Sequence, residues 1–160
     1  MSDSHDNIHK VGSAVKFFNE INVSLVLHAG DFVSPFVPKW FKELRCKMIG
    51  VFGNNENERS LLIERFKELG HEIRGYFTII KVEGRRIALL HGHERDLLEF
   101  VTNCNYFDFV IYGHTHEKEI RKIGNSLVIN PGEVCGYLSG EATVAVLDVG
   151  KREVRIHVLD

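Results

Sequence analysis

Four times in this chain an apolar run of strand length stops and at once presents a side chain able to bind a metal. Val23-Ser24-Leu25-Val26-Leu27-His28 is broken by Ala29-Gly30-Asp31, and Lys47-Met48-Ile49-Gly50-Val51-Phe52 runs into Gly53-Asn54-Asn55-Glu56. Arg85 to Leu90 ends in His91-Gly92-His93, and Phe107-Asp108-Phe109-Val110-Ile111 ends in Tyr112-Gly113-His114-Thr115-His116. Loops at the carboxyl ends of parallel strands gather along one edge of a sheet, so this grammar brings the candidate ligands to one rim. The last run constrains most. His114 and His116, at i and i+2 of extended chain, project to the same side with Cα atoms about 6–7 Å apart. Two ions held about 3.5–4 Å apart in a hydrolytic centre could each take one of them. Gly113 lets the backbone bend there and pass close to a ligand.

A further pair, Asp3-Ser4-His5, opens the chain, with Asp6 or Asn7 as the cap of a helix whose apolar face is Ile8, Val11, Val15 and Phe18. On its own Asp-X-His is equally a helix-capping turn. His28 falls inside its strand, where a hydrogen-bonded core histidine is expected. Ser34 to Leu44 reads as a helix that tolerates Pro35 in its first turn, with Pro38 either in that turn or displacing the start. Glu58 to Leu69 reads as a helix closed by Gly70, and Glu94 to Cys104 as another. Glu83-Gly84 between two strands is a hairpin signal. Lys118 to Ile123 with Leu127 to Asn130, then Thr143 to Asp148 with Glu153 to Leu159, predict antiparallel hairpins. Asn54 can ligate through its carbonyl oxygen, or it is simply turn chemistry after Gly53.

At 160 residues the length predicts one domain, residues 1–160, with room for a real core. A net charge of −2 argues against a bulk nucleic-acid surface. Cys46, Cys104 and Cys135 show no paired spacing and read as small buried hydrophobes, which fits a reducing cytoplasm. No apolar run reaches the roughly 18 residues of a membrane span. Nine histidines is the compositional oddity, and four of them sit in His91-Gly92-His93 and His114-Thr115-His116.

The series Asp3-X-His5, Gly30-Asp31, Gly53-Asn54, His91 and Gly113-His114-X-His116 resembles the calcineurin-like metallophosphoesterases, particularly their small single-domain archaeal and bacterial phosphodiesterases. The resemblance runs essentially end to end. It implies an α/β fold, a four-layer α/β/β/α sandwich of two mixed sheets, and a metal-dependent phosphodiesterase acting on a small phosphodiester. It also implies a binuclear centre: Asp3, His5 and His116 on one divalent ion, Asn54, His91 and His114 on the other, and Asp31 bridging. The mixed nitrogen and oxygen set suits manganese, with nickel, iron, cobalt or zinc as alternatives. A water shared by the two cations would lose its proton and attack phosphorus. The alternative on the same fold is a non-catalytic protein-interaction scaffold, as in a retromer subunit that resembles this family.

Two departures from the family pattern bear on this. Many members have histidine where this chain has Asn55, a residue that contacts the phosphate or leaving group. Asparagine donates a hydrogen bond but delivers no proton, so diesters with acidic leaving groups are the expected substrates. His93 is the candidate to act in its place. The family's opening strand, about five apolar residues ahead of Asp-X-His, is missing, since only Met1-Ser2 precede Asp3 and span at most about 7 Å. Unpaired backbone on the neighbouring strands, loosely anchored Asp3 and His5, and self-association into a homo-oligomer are the expected consequences.

Overall fold

The structure, a computed structural model, describes residues 1–160. Helix α1 (Ile8–Glu20) leads to strand β1 (Leu25–His28), a short 3-10 turn (Val37–Phe41) and β2 (Lys47–Gly50). Helix α2 (Arg59–Glu68) is followed by β3 (Glu72–Ile73), β4 (Phe77–Val82), β5 (Arg85–Leu90) and helix α3 (Arg95–Asn103). Strands β6 (Phe109–Ile111), β7 (Lys118–Ile123), β8 (Ser126–Pro131), β9 (Thr143–Asp148) and β10 (Glu153–Val158) complete the chain. Parallel β1–β2–β3 and antiparallel β9–β10 lie on one side of the core, and the mixed sheet β4–β5–β6–β8–β7 lies on the other.

Period-2 alternation builds the layers. Leu25, Leu27 and Ile49 of the first sheet meet Ile87, Leu89, Phe109, Ile111 and Ile129 of the second in one apolar cluster. The alternate residues Val26 and Met48 turn outward onto Val11, Val15 and Phe18 of α1 and Leu62 and Phe66 of α2. Ala88, Leu90, Val110 and Val128 turn outward onto Val101 of α3. The result is the expected α/β/β/α sandwich. Because β1 pairs with β2 in parallel, and β5 with β6, both sheets present carboxyl ends.

Local chemistry explains the element ends. Asn7 caps α1 by accepting from the Lys10 N–H at 3.3 Å. Glu83 and Gly84 both take positive φ, as a tight two-residue hairpin turn requires. The helix expected over Ser34 to Leu44 is reduced to the 3-10 turn Val37–Phe41, with Pro38 in its opening positions. Two prolines in four residues remove backbone donors, and an α-helix cannot propagate from that start. The two-residue strand β3 was not foreseen in the sequence, since Glu72-Ile73 offers no alternation to read.

Residues 1–3 lie between the two halves of the first layer. The Met1 carbonyl accepts from the Ala29 N–H at 2.9 Å, and the Asp3 N–H donates to the Gly30 carbonyl at 3.0 Å. On the other side Val134 and Cys135 donate to the Ser2 and Asp3 carbonyls, both at 3.0 Å. The expectation of a loosely anchored Asp3 and His5 is therefore overturned: Asp3 is fully buried, and the His5 N–H donates to the Asp31 carbonyl at 2.9 Å.

Below Met1 the two halves separate, leaving an apolar groove of about 540 Å³ lined by Leu25, Leu27, Val82, Ile129, Ala145 and Leu147, among others. Val51 donates to the His28 carbonyl on the β2 side, so alternation along a parallel ladder turns the N–H and C=O groups of Leu25 and Leu27 into the groove. Leu159 donates to the Ala142 carbonyl, which by the same logic turns those of Ala145 and Leu147 into it from β9. The Met1 ammonium meets one of these groups, the Leu27 carbonyl, at 2.9 Å.

Candidate metal centre

Each candidate ligand sits just beyond the end of a strand, or, for Asp3 and His5, on a segment hydrogen-bonded to the loop after β1. Ten non-glycine residues have φ in the left-handed region, and five of them are Asp3, His5, Asp31, His114 and His116. Such conformations cost about 1–3 kcal/mol each and persist where the surroundings over-determine them, as at functional sites. Close backbone approach makes the same point. A Cβ on Gly53 would lie 2.1 Å from Asp31 Oδ1, and one on Gly113 2.6 Å from Asp3 Oδ2.

The polar atoms converge. Asp31 Oδ2 lies 3.8 Å from His5 Nε2 on one side and 3.4 Å from His91 Nε2 on the other. Asn54 Oδ1 is 3.0 Å from the same His91 nitrogen. Asp3 Oδ1 stands 3.5 Å from His116 Nε2 and 4.0 Å from His91 Nε2. The His114 ring is 5.1 Å from that of His91, and the His5 ring 5.4 Å from that of His116. All seven sequence-predicted ligands thus reach one rim, with Asp31 between the two groups.

Supporting hydrogen bonds orient the rings. His91 Nδ1 donates to the Ala29 carbonyl at 2.8 Å, and His116 Nδ1 donates to Glu133 Oε2 at 2.7 Å, leaving each Nε2 to face the centre. The His114 N–H donates to the Asp3 carboxylate at 3.0 Å. Burial alone would raise Asp31, but the neighbouring His91 and the hydrogen bonds donated by Asn55 outweigh it and hold the carboxyl well below the usual range. Asp3 is raised, because its burial prevails over nearby His91 and His116.

Asn55 and His93 occupy the rim differently from one another. Asn55 donates to Asp31 twice, from its backbone N–H at 3.0 Å and from Nδ2 at 2.6 Å. The His93 ring is 5.4 Å from His91 and 6.1 Å from His114, and its buried Nδ1 has no hydrogen-bond partner. His28 is a core histidine as read: fully buried, its Nε2 2.9 Å from Ser4 Oγ and its ring stacked on Phe32.

Two residues escaped the sequence reading. Cys135, taken for a plain buried hydrophobe, places Sγ within 4.8 Å of ligand atoms of His5 and His116 and donates to Glu133 at 2.9 Å. Burial and the Glu133 carboxylate push this thiol up to about 12, so it stays protonated and acts as a donor. Glu133 is fully buried beside His116. Its place after a Pro-Gly turn, flanked by Val134, carried only a weak sign of this role.

A family model for the calcineurin-like phosphoesterase superfamily domain matches residues 1–152. The chain belongs to the calcineurin-like phosphoesterase superfamily. It is 42% identical over 161 residues to the phosphodiesterase MJ0936 of Methanocaldococcus jannaschii, covering 100% of this chain and 97% of that one. A solved structure described as a novel archaeal phosphodiesterase superposes with a TM-score of 0.95 at 42% identity, covering 99% and 97% of the two chains. The Escherichia coli phosphoesterase YfcE shares the fold, with a TM-score of 0.72 at 20% identity over 99% of this chain and 97% of its own.

Calcineurin-like phosphoesterases are metal-dependent, and the donor set here fits divalent cations. Ligand atoms of Asp3, His5 and Asp31 lie within 4.8 Å of one another. His5 Nε2 is buried yet finds no hydrogen-bond partner in the protein, a loss that a coordinated cation would make good. No helix is long and apolar enough to cross a membrane.

Proposed function

We propose that this superfamily member is a phosphodiesterase that uses two divalent metal ions, manganese foremost, to hydrolyse small phosphate diesters. The observation that carries the reading is the convergence of six nitrogen and oxygen donors around Asp31, with His5 Nε2 buried and unpartnered among them. The relative at 42% identity that bears the name phosphodiesterase supports diesters as the substrate class. Asp3, His5 and His116 would hold one ion, Asn54, His91 and His114 the other, and Asp31 would serve both. When bound, such ions supply the acidity that makes water a nucleophile near neutral pH and offset charge on the phosphoryl oxygens.

The chain's own groups do the rest. Asp31 is kept ionised by its donors, and the Nδ1 hydrogen bonds of His91 and His116 keep both rings aimed. One amide hydrogen of Asn55 is committed to Asp31, and the other is free to meet a phosphoryl or leaving-group oxygen. That amide cannot protonate a leaving group. His93, beside His91 and His114, is the remaining proton carrier at the rim. The completeness of the converging set favours the enzyme over a scaffold on this fold.

The test is hydrolysis of a chromogenic bis-aryl diester against an alkyl phosphomonoester with manganese present. Well-placed general acids contribute about 10²–10⁴-fold, so the diester should be faster by at least about a hundredfold. Equal rates on the two classes would contradict the reading.

A further inference from the structure

Glu133, just past the end of β8, gathers more donors than any carboxylate of the centre. Its Oε2 accepts from His116 Nδ1 at 2.7 Å, Cys135 Sγ at 2.9 Å and the Tyr137 N–H at 3.1 Å. Its Oε1 accepts from the Leu138 N–H at 2.9 Å, the Ser139 N–H, and Ser139 Oγ at 2.7 Å. Only an ionised carboxylate is acceptor-only on both oxygens, so all six donors require that form. Oε2 thus orients a candidate metal ligand and takes one loop amide, while Oε1 fastens the rest of the loop at Leu138 and Ser139. On that loop Tyr137 and Leu138 are 62% and 75% exposed, and the Tyr137 ring lies 6.5 Å from that of His5.

A histidine that ligates through Nε2 must carry its proton on Nδ1, and the partner at Nδ1 decides which tautomer is present. His116 Nε2 and Asp3 Oδ1 face each other at 3.5 Å. With the proton on Nδ1 both are lone-pair donors, and a cation placed between them reconciles the two.

We propose that Glu133 is a positioning residue that fixes His116 in the Nδ1–H tautomer and, with both oxygens, fastens the 137–139 loop so that the Tyr137 ring forms a wall beside His5. The proposal deepens the two-metal reading and rests on it for what the wall would contact. Its central claim about the His116 tautomer stands or falls separately.

Glutamine cannot replace this group. Its single carbonyl can serve either His116 or the loop, and its amino group then meets donors on the other side. In Glu133→Gln, either the His116 proton moves to Nε2 or the Leu138 and Ser139 amides are released.

Nitrogen NMR of histidine-labelled protein at pH 8, metal-free and zinc-loaded, reads the tautomer directly. The wild type should carry the His116 proton on Nδ1, and an Nε2–H form in the metal-free wild type would overturn the proposal without any variant. In E133Q, a tautomer change should come with a 10–100-fold weaker zinc affinity at one of two sites. If the tautomer holds instead, amide exchange at residues 138 and 139 should accelerate. An E133Q protein with unchanged tautomer, zinc affinity and loop exchange would also overturn it. Ser139→Ala, which removes hydroxyl contacts to Glu133 Oε1 and to the Glu141 backbone but none to His116, should speed exchange at 137–139 and leave the His116 tautomer in place. If the NMR and zinc results hold while no diester is cleaved, the phosphodiesterase reading fails and the positioning role stands.

Discussion

Asp31 stands between the two halves of the centre, within 4 Å of both His5 Nε2 and His91 Nε2. Asp31→Asn should lower manganese binding from two ions to at most one and reduce diester hydrolysis by at least about a hundredfold, a typical loss for one electrostatic group at the reacting centre. Isothermal titration beside steady-state rates checks this; a variant that retains two ions and full rate would remove Asp31 from its role. At Asn55, substitution by histidine should raise the alkyl monoester rate while leaving the aryl diester rate within a few-fold, since only the former needs a donated proton. Five of the seven candidate ligands were legible because each follows an apolar run, a pattern that composition alone would not produce, whereas Asp3 and His5 were legible only through the family pattern they resemble. Glu133 was not legible, because its partners His116 and the Tyr137–Ser139 amides meet it only after β8 and the following loop have folded. The thiol of Cys135 was read only for its bulk, and its neighbour Glu133 gives it a hydrogen-bonding duty as well.

Among the elements, the groove between β1 and β9 is where the chain's pairing is least complete. Its facing backbone groups at Leu25, Leu27, Ala145 and Leu147 run parallel to apolar walls on both sheets. An engineered extension of about five alternating Val and Ile residues ahead of Met1 should enter as a strand. It should raise unfolding stability by at least about 2 kcal/mol, after the entropy of ordering it is subtracted. Denaturant unfolding measures this, and an extension with no effect would show that the groove does not accept a strand. A second pairing device is Asp108, which accepts from the Arg86 N–H at 2.9 Å and from Arg85 and Arg152, tying β5, β6 and the β9–β10 turn together. The Arg86 N–H above all, with Arg85 and Arg152, depresses its pKa, so its stabilisation is present above the ordinary carboxylate range and is lost as pH falls through the lowered value. Asp108→Asn should therefore cost about 1–2 kcal/mol at pH 7 and progressively less below pH 4. A difference independent of pH would exclude a charge-based role. Strand and helix positions followed the apolar periodicity well, whereas the segment Ser34 to Leu44 did not, because Pro35 and Pro38 outweighed its helical face of Phe36, Val37, Trp40, Phe41 and Leu44.

For the molecule as a whole, the centre joins the two sheets. Asp3, His5, Asp31 and Asn54 come from the first layer and His91, His114 and His116 from the second, so cations at the rim would staple the sandwich across its core. Ligands that bind only the folded state stabilise it by about 2.7 kcal/mol at one hundred times Kd, which for a chain of this size corresponds to roughly 5–10 °C in Tm. Stripping with a chelator should lower Tm by that amount and restoring manganese should recover it. The most direct test of the account is to titrate chelator-stripped protein with manganese while following aryl diester hydrolysis in the same sample. The account predicts that activity rises only as the second equivalent binds and then saturates. Full activity at one equivalent, or hydrolysis that needs none, would contradict it.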